Sequence, residues 1–315
     1  MTQPQLELPE TAVRVTPLST HIGAEIHGVD LTQPLSTDEI VAIRAALLRW
    51  KVVFFRDQPL THAGQVAFAR QFGDLTVGHP VFGHVDGHPE VYSIAKRRQA
   101  NRFEGQANLR PWSGWHTDVT AAVNPPAASI LRGVTIPPYG GDTQWTNLVA
   151  AYQALSAPMR QFVDGLRGIH RFTAPPGATA TKEYKDLVER ASLLSEHPLV
   201  RVHPETGERA LYVSPSFLKS LKGFSSRESQ QILELLWEHV VRPEFTVRFK
   251  WEPNSVAFWD NRSTAHLAPV DIFDLEFDRQ LYRVTLVGDV PIGPDGQPSI
   301  ALEGNPVLAA HGAAS

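Results

Sequence analysis

An alternation of apolar and polar residues between positions 245 and 251 places the tightest constraint on the fold of this chain. The apolar positions are Phe245, Val247, Phe249 and Trp251, and the polar positions between them are Thr246, Arg248 and Lys250. Successive side chains of a strand point to opposite faces of the sheet. A period of two therefore predicts a strand with one buried face.

Other short apolar runs predict further strands, and two capping boxes predict helices. Ser36 with Glu39 and Ser225 with Glu228 mark the helix starts. The predicted strands cover residues 13–26, 52–55, 91–94, 128–134, 256–259 and 281–287, and the predicted helices cover residues 37–49, 62–72, 146–155, 158–166 and a segment ending before residue 243. Strands spread through the chain, with helices between the early ones, predict a mainly β fold, a sandwich or barrel with helical insertions outside.

The composition bounds both the architecture and the partners. No break in composition marks a second domain, so a single domain over residues 1–290 is expected, followed by a flexible tail over residues 291–315, which are rich in Pro, Gly and Ala. The net charge of -4 gives no pull toward nucleic acid or anionic membrane. The N-terminal residues have no signal-peptide pattern and no apolar run is long enough to span a membrane, so a cytoplasmic protein is expected.

The triplet His116-Thr117-Asp118 is the first candidate for a metal site. In an extended strand the side chains of His116 and Asp118 point to the same face. Cysteine is absent, so a metal would be bound by His, Asp or Glu. With His266 as a third ligand, two His and one carboxylate are the ligand set of non-heme Fe(II) oxygenases. Taken alone, the triplet in a chain with 13 His favours an ordinary polar strand edge.

Two arginines follow His266 on a predicted strand. Arg279 and Arg283 are typical of a site for a dianion, because guanidinium groups bind carboxylate or sulfonate bidentately. The alternative is a surface ion pair of Arg279 with one of the acids of residues 274–278, and spacing alone favours it.

Two smaller features lie elsewhere in the chain. Thr143, at the end of Gly140-Gly141-Asp142-Thr143, has a hydroxyl that could donate to the same carboxylate, although the motif taken alone favours a tight turn with a capping Thr. His79, before Pro80, is either a substrate ligand or an ordinary loop residue.

Together these motifs resemble the taurine dioxygenase (TauD/TfdA) family of Fe(II)/2-oxoglutarate-dependent dioxygenases. They are, in chain order, His116-Thr117-Asp118, Gly140-Gly141-Asp142-Thr143, Trp259-Asp260-Asn261-Arg262 with His266, and Arg279 with Arg283. The similarity runs from about residue 22 to residue 291. The resemblance implies a double-stranded β-helix, or jelly-roll, core with helical insertions.

The resemblance also implies roles for single residues. His116, Asp118 and His266 would be the catalytic Fe(II) ligands, and Thr143 and Arg279 would hold the distal carboxylate of 2-oxoglutarate, which reacts with O2. The substrate's anionic group would be held by His79, Arg283 and the backbone N–H of Val119, and Phe217 would be an apolar wall of the substrate pocket.

The chain departs from the taurine enzyme at two pocket positions. Phe82 stands where that enzyme has a Tyr, and Trp112 stands where it has an Asn. Both changes remove polar partners, which favours a bulkier organosulfonate or an alkyl sulfate, as in the alkylsulfatase branch. A basic loop over residues 95–114 is interpreted as a solvated loop, with a substrate-facing lid as the alternative, and residues 173–181 as a flexible loop.

The expected reaction is therefore hydroxylation of the carbon next to the sulfonate or sulfate group. Its products would be an aldehyde with sulfite or sulfate, together with succinate and CO2. Two alternatives stay open: the same chemistry on another anionic substrate, such as taurine or an aryloxyalkanoate, and a non-redox metal- or anion-binding protein on the same fold. The expected assembly is a homo-oligomer, either a dimer or a tetramer.

Overall fold

The structure is a computed structural model that describes residues 13–96, 103–104, 110, 112, 114–173, 179–268 and 270–310. Its strands are β1 (Arg14–Pro17), β2 (Ala24–His27), β3 (Val52–Phe55), β4 (Tyr92–Ala95), β5 (Phe103–Glu104), β6 (Ala128–Thr135), β7 (Thr143–Asn147), β8 (Arg167–Arg171), β9 (Thr179–Ala180), β10 (Leu194–Pro198), β11 (Val200–Val202), β12 (Arg209–Leu211), β13 (Leu218–Leu221), β14 (Thr246–Phe249), β15 (Val256–Asp260), β16 (Thr264–Leu267), β17 (Gln280–Leu286) and β18 (Ile300–Glu303). Its helices are α1 (Thr37–Trp50), α2 (His62–Arg70), α3 (Leu148–Gln153), α4 (Ala157–Asp164), α5 (Lys182–Arg190) and α6 (Ser226–Val240), with 3-10 turns at Pro243–Phe245 and Val270–Asp274.

Two sheets form the jelly-roll core that the family resemblance implies. The larger sheet has the strand order β1-β2-β3-β15-β6-β17-β4, and the smaller has the order β14-β7-β16. Aromatic side chains join the two sheets: Phe54 of β3 stacks on Phe249 of β14 with ring centroids 4.1 Å apart, and meets Trp145 of β7 edge-on at 5.3 Å. Val247 and Phe249 are buried, while Thr246 and Arg248 between them are not, which confirms the alternation.

Helices cover the faces of the sheets that do not meet. Ile43 and Leu47 of α1 and Phe68 of α2 pack with Phe55 and Phe258 on the outer face of the larger sheet. Both predicted capping boxes are present, at the starts of α1 and α6. No helix in the described part of the chain is long and apolar enough to cross a membrane.

One predicted helix, over residues 146–155, begins too early. Thr146 and Asn147 belong to β7, and α3 starts only at Leu148. Because β7 pairs with β14 on one side and β16 on the other, sheet pairing overrides the local preference. The Asn147 side chain then caps α3 by accepting hydrogen bonds from the N–H groups of Val149 and Ala150.

Up to residue 310, the C-terminal segment pairs with distant parts of the chain and does not form the expected flexible tail. β18 pairs antiparallel with β10 and forms the edge of a four-stranded sheet ordered β13-β8-β10-β18. Further along, the backbone of Val307 exchanges two hydrogen bonds with the side chain of Asn124, at 2.7 and 2.9 Å. Pairing with a distant strand orders this segment despite its Pro, Gly and Ala content. Residues 311–315 lie outside the described part of the chain.

The basic loop over residues 95–114 and the loop over residues 173–181 lie partly outside the described residues. Positions 97–102, 105–109, 111, 113 and 174–178 are not described. The described parts include β5, in the basic loop, which pairs antiparallel with β9, in the loop over residues 173–181. These two segments are thus joined by backbone hydrogen bonds.

Candidate active site

The structure brings the predicted triad together. The backbones of His116 and His266 are paired as an isolated antiparallel bridge, and their ring centroids lie 4.2 Å apart. Oδ1 of Asp118 lies 4.0 Å from Nε2 of His116 and 3.9 Å from Nε2 of His266. One ligand atom from each residue lies within 4.8 Å of the others. Two imidazole nitrogens and one carboxylate oxygen at this spacing can bind one divalent ion.

The protonation states suit a metal ion. Burial lowers the pKa of His116 and lowers that of His266 well below its ordinary value, so both rings are neutral. Nδ1 of His116 lies 3.0 Å from the carbonyl oxygen of Gly114, which places the ring proton on Nδ1 and leaves the lone pair on Nε2. Burial alone would raise the pKa of Asp118, but the guanidinium of Arg283 and the hydrogen bond from the Ser129 hydroxyl lower it. The carboxylate is therefore ionised.

Arg279 is buried in the structure and does not form the surface ion pair that spacing favoured. Its Nε donates to the carbonyl oxygen of Gly141 at 2.9 Å, and Nη2 lies 3.4 Å from Oγ1 of Thr143. The indole N–H of Trp251 also donates to that Oγ1, at 2.9 Å. In the described part of the chain no carboxylate forms an ion pair with Arg279, because the nearby Asp142 pairs with Arg248.

The surroundings of Arg279 fit an external anion. Burial lowers its pKa to about 10, against the opposing effect of Asp271 and Asp142, and the guanidinium stays charged at neutral pH. A buried charge without a protein counter-ion is costly, so an anionic ligand is the natural partner. Gly141 permits this geometry: its φ is +67°, and a Cβ there would lie 2.9 Å from Nε of Arg279.

Arg283 lies in β17, separated from Arg279 by a bulge between Gln280 and Leu281. It is buried and forms an ion pair with Oδ1 of Asp118. Its guanidinium carbon lies 5.2 Å from the ring centroid of Tyr92. Arg279 and Arg283 thus have different partners, and of the two it is Arg283 that lies beside the triad.

His79 and Phe82 lie on the same side of the triad as Arg283. Nδ1 of His79 accepts hydrogen bonds from the N–H groups of Val81 and Phe82, at 3.1 and 3.2 Å, so Nε2 carries the ring proton. The rings of His79 and Tyr92 lie 4.9 Å apart, and those of His79 and Phe82 lie 4.6 Å apart. A continuous run of ring contacts therefore leads outward from Arg283.

An aromatic wall continues this run toward the surface. We use that name for Phe82, Phe172, Tyr184 and Phe217, which pack in one cluster. The ring of Phe217 lies 6.2 Å from that of His116. Burial raises the pKa of Tyr184 to about 12, so its phenol is neutral.

The structure places Val119 and Trp112 in different surroundings. Val119 packs with the aromatic wall and has a φ of +51°, rare for a β-branched residue and typical of functional sites. In the described residues its N–H has no hydrogen-bond acceptor. The ring of Trp112, by contrast, packs on Trp237 of α6 with centroids 4.5 Å apart, in the core cluster of α3 and α6. The structure does not place Trp112 with the other predicted pocket residues.

Sequence reasoning missed several residues that the fold adds to the site. Tyr92, Phe172 and Tyr184 extend the ring contacts, and Ser129 donates to Oδ2 of Asp118 at 2.6 Å. Ser129 belongs to no sequence motif. Its role is visible only in the structure, where β6 places its hydroxyl against the carboxylate of Asp118. Asn261, which contacts Ser129, lies within the Trp259-Asp260-Asn261-Arg262 motif, and that motif is the available sequence clue.

Comparison with known proteins agrees with this geometry. Residues 14–285 match the family model described as "Taurine catabolism dioxygenase TauD, TfdA family". The chain is 42% identical to an alpha-ketoglutarate-dependent sulfate ester dioxygenase of Pseudomonas putida, over 90% of this chain and 92% of that protein. It is 38% identical to an alkylsulfatase of Acinetobacter baylyi, over 92% of this chain and 90% of that protein.

A solved structure shares the fold closely. The crystal structure of a taurine dioxygenase from Burkholderia xenovorans is 70% identical, with a TM-score of 0.83, over 94% of this chain and 96% of that chain. The family model covers most of the chain, and the His-Asp-His triad lies within the matched residues. This chain is therefore an enzyme of the TauD/TfdA family of alpha-ketoglutarate-dependent dioxygenases.

Proposed function

We propose that this enzyme hydroxylates the carbon next to the sulfate or sulfonate group of an alkyl sulfate or organosulfonate. The product collapses to an aldehyde and releases sulfate or sulfite, while 2-oxoglutarate is converted to succinate and CO2. The observation that carries the proposal is the position of Arg283, a buried cation between the metal triad and a run of aromatic rings.

His116, Asp118 and His266 would hold Fe(II), which supplies the activation of O2 when bound. Three protein ligands leave the remaining positions of an octahedral ion open. Arg279 and Thr143 would hold the distal carboxylate of 2-oxoglutarate. The buried guanidinium without a carboxylate partner in the described residues supports that role.

The substrate's anionic head would be held by three donors beside the triad. They are the guanidinium of Arg283, Nε2–H of His79 and the backbone N–H of Val119. The aromatic wall would line the tail, and Phe217 at 6.2 Å from His116 would place the reacting carbon near the metal. Phe82 offers no polar group to an amine, so the pocket favours an apolar tail. Trp112 is left out of this pocket because its ring packs on Trp237.

The names of the relatives divide between sulfate esters and taurine, and the aromatic wall favours the former. Burying the ammonium group of taurine without a partner is unfavourable. The non-redox alternative gives Arg279 no purpose, because a metal- and anion-binding protein needs no 2-oxoglutarate.

The test is succinate formation with a panel of hexyl sulfate, hexanesulfonate, taurine and 2,4-dichlorophenoxyacetate. Sulfate and sulfite are measured in parallel. We expect hexyl sulfate or hexanesulfonate to be the best substrate, with one inorganic anion released per succinate. Highest turnover with taurine or the phenoxyacetate would replace the proposed substrate, and no O2-dependent succinate with any compound would favour the non-redox alternative.

We further propose that residues 1–290 form one domain to which β18 adds an edge strand, that the protein works in the cytoplasm and that it assembles as a homo-oligomer, a dimer or a tetramer. Ile300 and Leu302 support the assembly, since both are exposed apolar residues on the edge strand β18. Light scattering of the purified protein tests it, and a monomer at micromolar concentration would contradict it.

A further inference from the structure

The Trp259-Asp260-Asn261-Arg262 motif has no role in the proposed reaction, although it forms the turn from β15 to β16 that leads to His266. Alternate side chains of this motif point to opposite sides of the turn. Asp260 and Arg262 pair with each other and with residues behind the turn, whereas Trp259 and Asn261 face the metal triad. The ring of Trp259 lies 4.9 Å from that of His266.

A chain of three hydrogen bonds runs from this turn to Asp118. The indole N–H of Trp259 donates to Oδ1 of Asn261 at 2.8 Å, and Nδ2 of Asn261 donates to Oγ of Ser129 at 2.8 Å. The Ser129 hydroxyl then donates to Oδ2 of Asp118 at 2.6 Å. All four side chains are buried.

The direction of these three hydrogen bonds follows from the indole of Trp259. An indole N–H can only donate, so the amide oxygen of Asn261 must face Trp259 and its NH2 group must face Ser129. The Ser129 oxygen accepts that bond, which leaves its proton for the carboxylate. Each hydrogen bond is therefore oriented in one way, without a choice of amide flip or hydroxyl rotor.

The turn itself is anchored from behind. The carboxylate of Asp260 accepts from Nε of Arg262 at 3.0 Å and from Nη2 at 2.7 Å, and Nε2 of His203 lies 2.9 Å from its Oδ2. Asp260 is fully buried. A buried carboxylate with this many partners holds a turn in one conformation, so Asn261 is presented to Ser129 without freedom to move away.

We propose that Trp259, Asn261 and Ser129 are positioning residues that make Asp118 a one-oxygen metal ligand. Oδ2 is occupied by Ser129, whereas Oδ1, which also pairs with Arg283, is the oxygen near Nε2 of both histidines. A carboxylate held this way would offer one oxygen to the ion and would leave room there for 2-oxoglutarate and O2. The inference rests on the metal site of the proposed function.

The test measures metal binding rather than turnover. Co(II) is titrated calorimetrically into wild type and variants without 2-oxoglutarate, and the visible absorption of bound Co(II) reports its coordination. Ser129→Ala should weaken Co(II) binding about 10- to 100-fold, the usual effect of removing a partner of a metal ligand, and should change the Co(II) spectrum. Ser129→Thr keeps the hydroxyl and should restore both.

Two further variants distinguish a loss of Asp118 positioning from a general loss of stability. Trp259→Phe retains a ring against His266 but removes the donor to Asn261, and should weaken Co(II) binding in the same direction by less. Ser229→Ala is the matched control, because Ser229 is also buried, lies in α6 and accepts one hydrogen bond, from Leu221. Thermal unfolding of each metal-free variant reports any general loss of stability.

The outcomes are separable. Co(II) affinity and spectrum of Ser129→Ala equal to wild type would overturn the inference while leaving the metal site intact. Equal losses in Ser129→Ala and Ser229→Ala, or no rescue by Ser129→Thr, would also overturn it. If Ser129→Ala does not fold, Trp259→Phe decides, and unchanged Co(II) binding there is the contrary result. Failure of wild type to bind Co(II) would refute the metal site itself.

Discussion

His116 and His266 are joined through their backbones before any ligand binds them through their side chains. The N–H of His116 donates to the carbonyl oxygen of His266 at 2.9 Å, and the N–H of His266 donates to that of His116 at 2.7 Å. This reciprocal pair holds the two imidazoles side by side at the spacing that a metal ion needs. The metal site is thus built into the sheet pairing of the fold and does not depend on loop flexibility.

The triad makes the first prediction. His116→Ala and His266→Ala should each abolish measurable Fe(II) binding and succinate formation, because two protein ligands bind the ion too weakly. Fe(II) content after desalting and succinate yield are the measurements. His27→Ala, a histidine of β2 outside the site, is the control, and wild-type-like turnover in either triad variant would refute the assignment.

Arg279 makes the second prediction. Arg279→Ala should raise the KM for 2-oxoglutarate on the order of 30-fold or more, since truncating one partner of a buried charge pair costs about 2–5 kcal/mol. The KM for the sulfate substrate should change far less. Arg242→Ala removes an arginine that is more than half exposed and pairs with Glu244, and should leave both constants near wild type. An unchanged KM for 2-oxoglutarate in Arg279→Ala would show that the co-substrate binds elsewhere.

The aromatic wall makes the third prediction, which concerns substrate tail length. Each buried methylene adds about 0.8 kcal/mol, or roughly fourfold in kcat/KM, from ethyl sulfate upward until the tail fills the pocket. Phe217→Ala should flatten this series. Trp112→Asn should leave its slope unchanged and lower the unfolding temperature instead, because the Trp112 ring packs on Trp237. A series that falls with tail length would contradict the proposed pocket.

The fourth prediction concerns stability against pH. His170 and His197 are fully buried, and burial lowers the pKa of His197 from 6.5 to about 3 and that of His170 well below 6.5. The unfolded chain therefore binds protons before the folded one as the pH falls below 6.5. The free energy of unfolding should decrease from pH 7 downward, and the slope should approach about 1.4 kcal/mol per pH unit for each such histidine once the pH is well below 6.5.

Chemical denaturation of the metal-free protein between pH 7.5 and 4.5 measures this slope. The range lies above the ordinary pKa of the buried carboxyls, whose stabilisation is lost only at lower pH. His197→Gln should reduce the slope by up to about 1.4 kcal/mol per pH unit. The same slope in wild type and His197→Gln would show that His197 does not titrate on unfolding.

The local structural features of this protein were determined by the sequence alone. The capping boxes at Ser36 and Ser225 and the alternation around Val247 depend on neighbours within a few residues, and the structure confirms all three. The spacing of His116 and Asp118 likewise places both side chains on one side of the chain. The motif order was enough to indicate the family, because it records positions that the reaction requires.

Long-range pairing decided the rest. Whether Arg279 would meet a surface acid or be buried near Thr143 depends on how β17 meets β7 across the core, and no local pattern encodes that. The direction of the Trp112 ring was set by α6, and the order of the C-terminal segment by the pairing of β18 with β10. Ser129 contacts Asp118 only because two distant segments are brought together. Burial and pairing between remote segments are properties of the folded chain, so the tertiary structure alone could decide them.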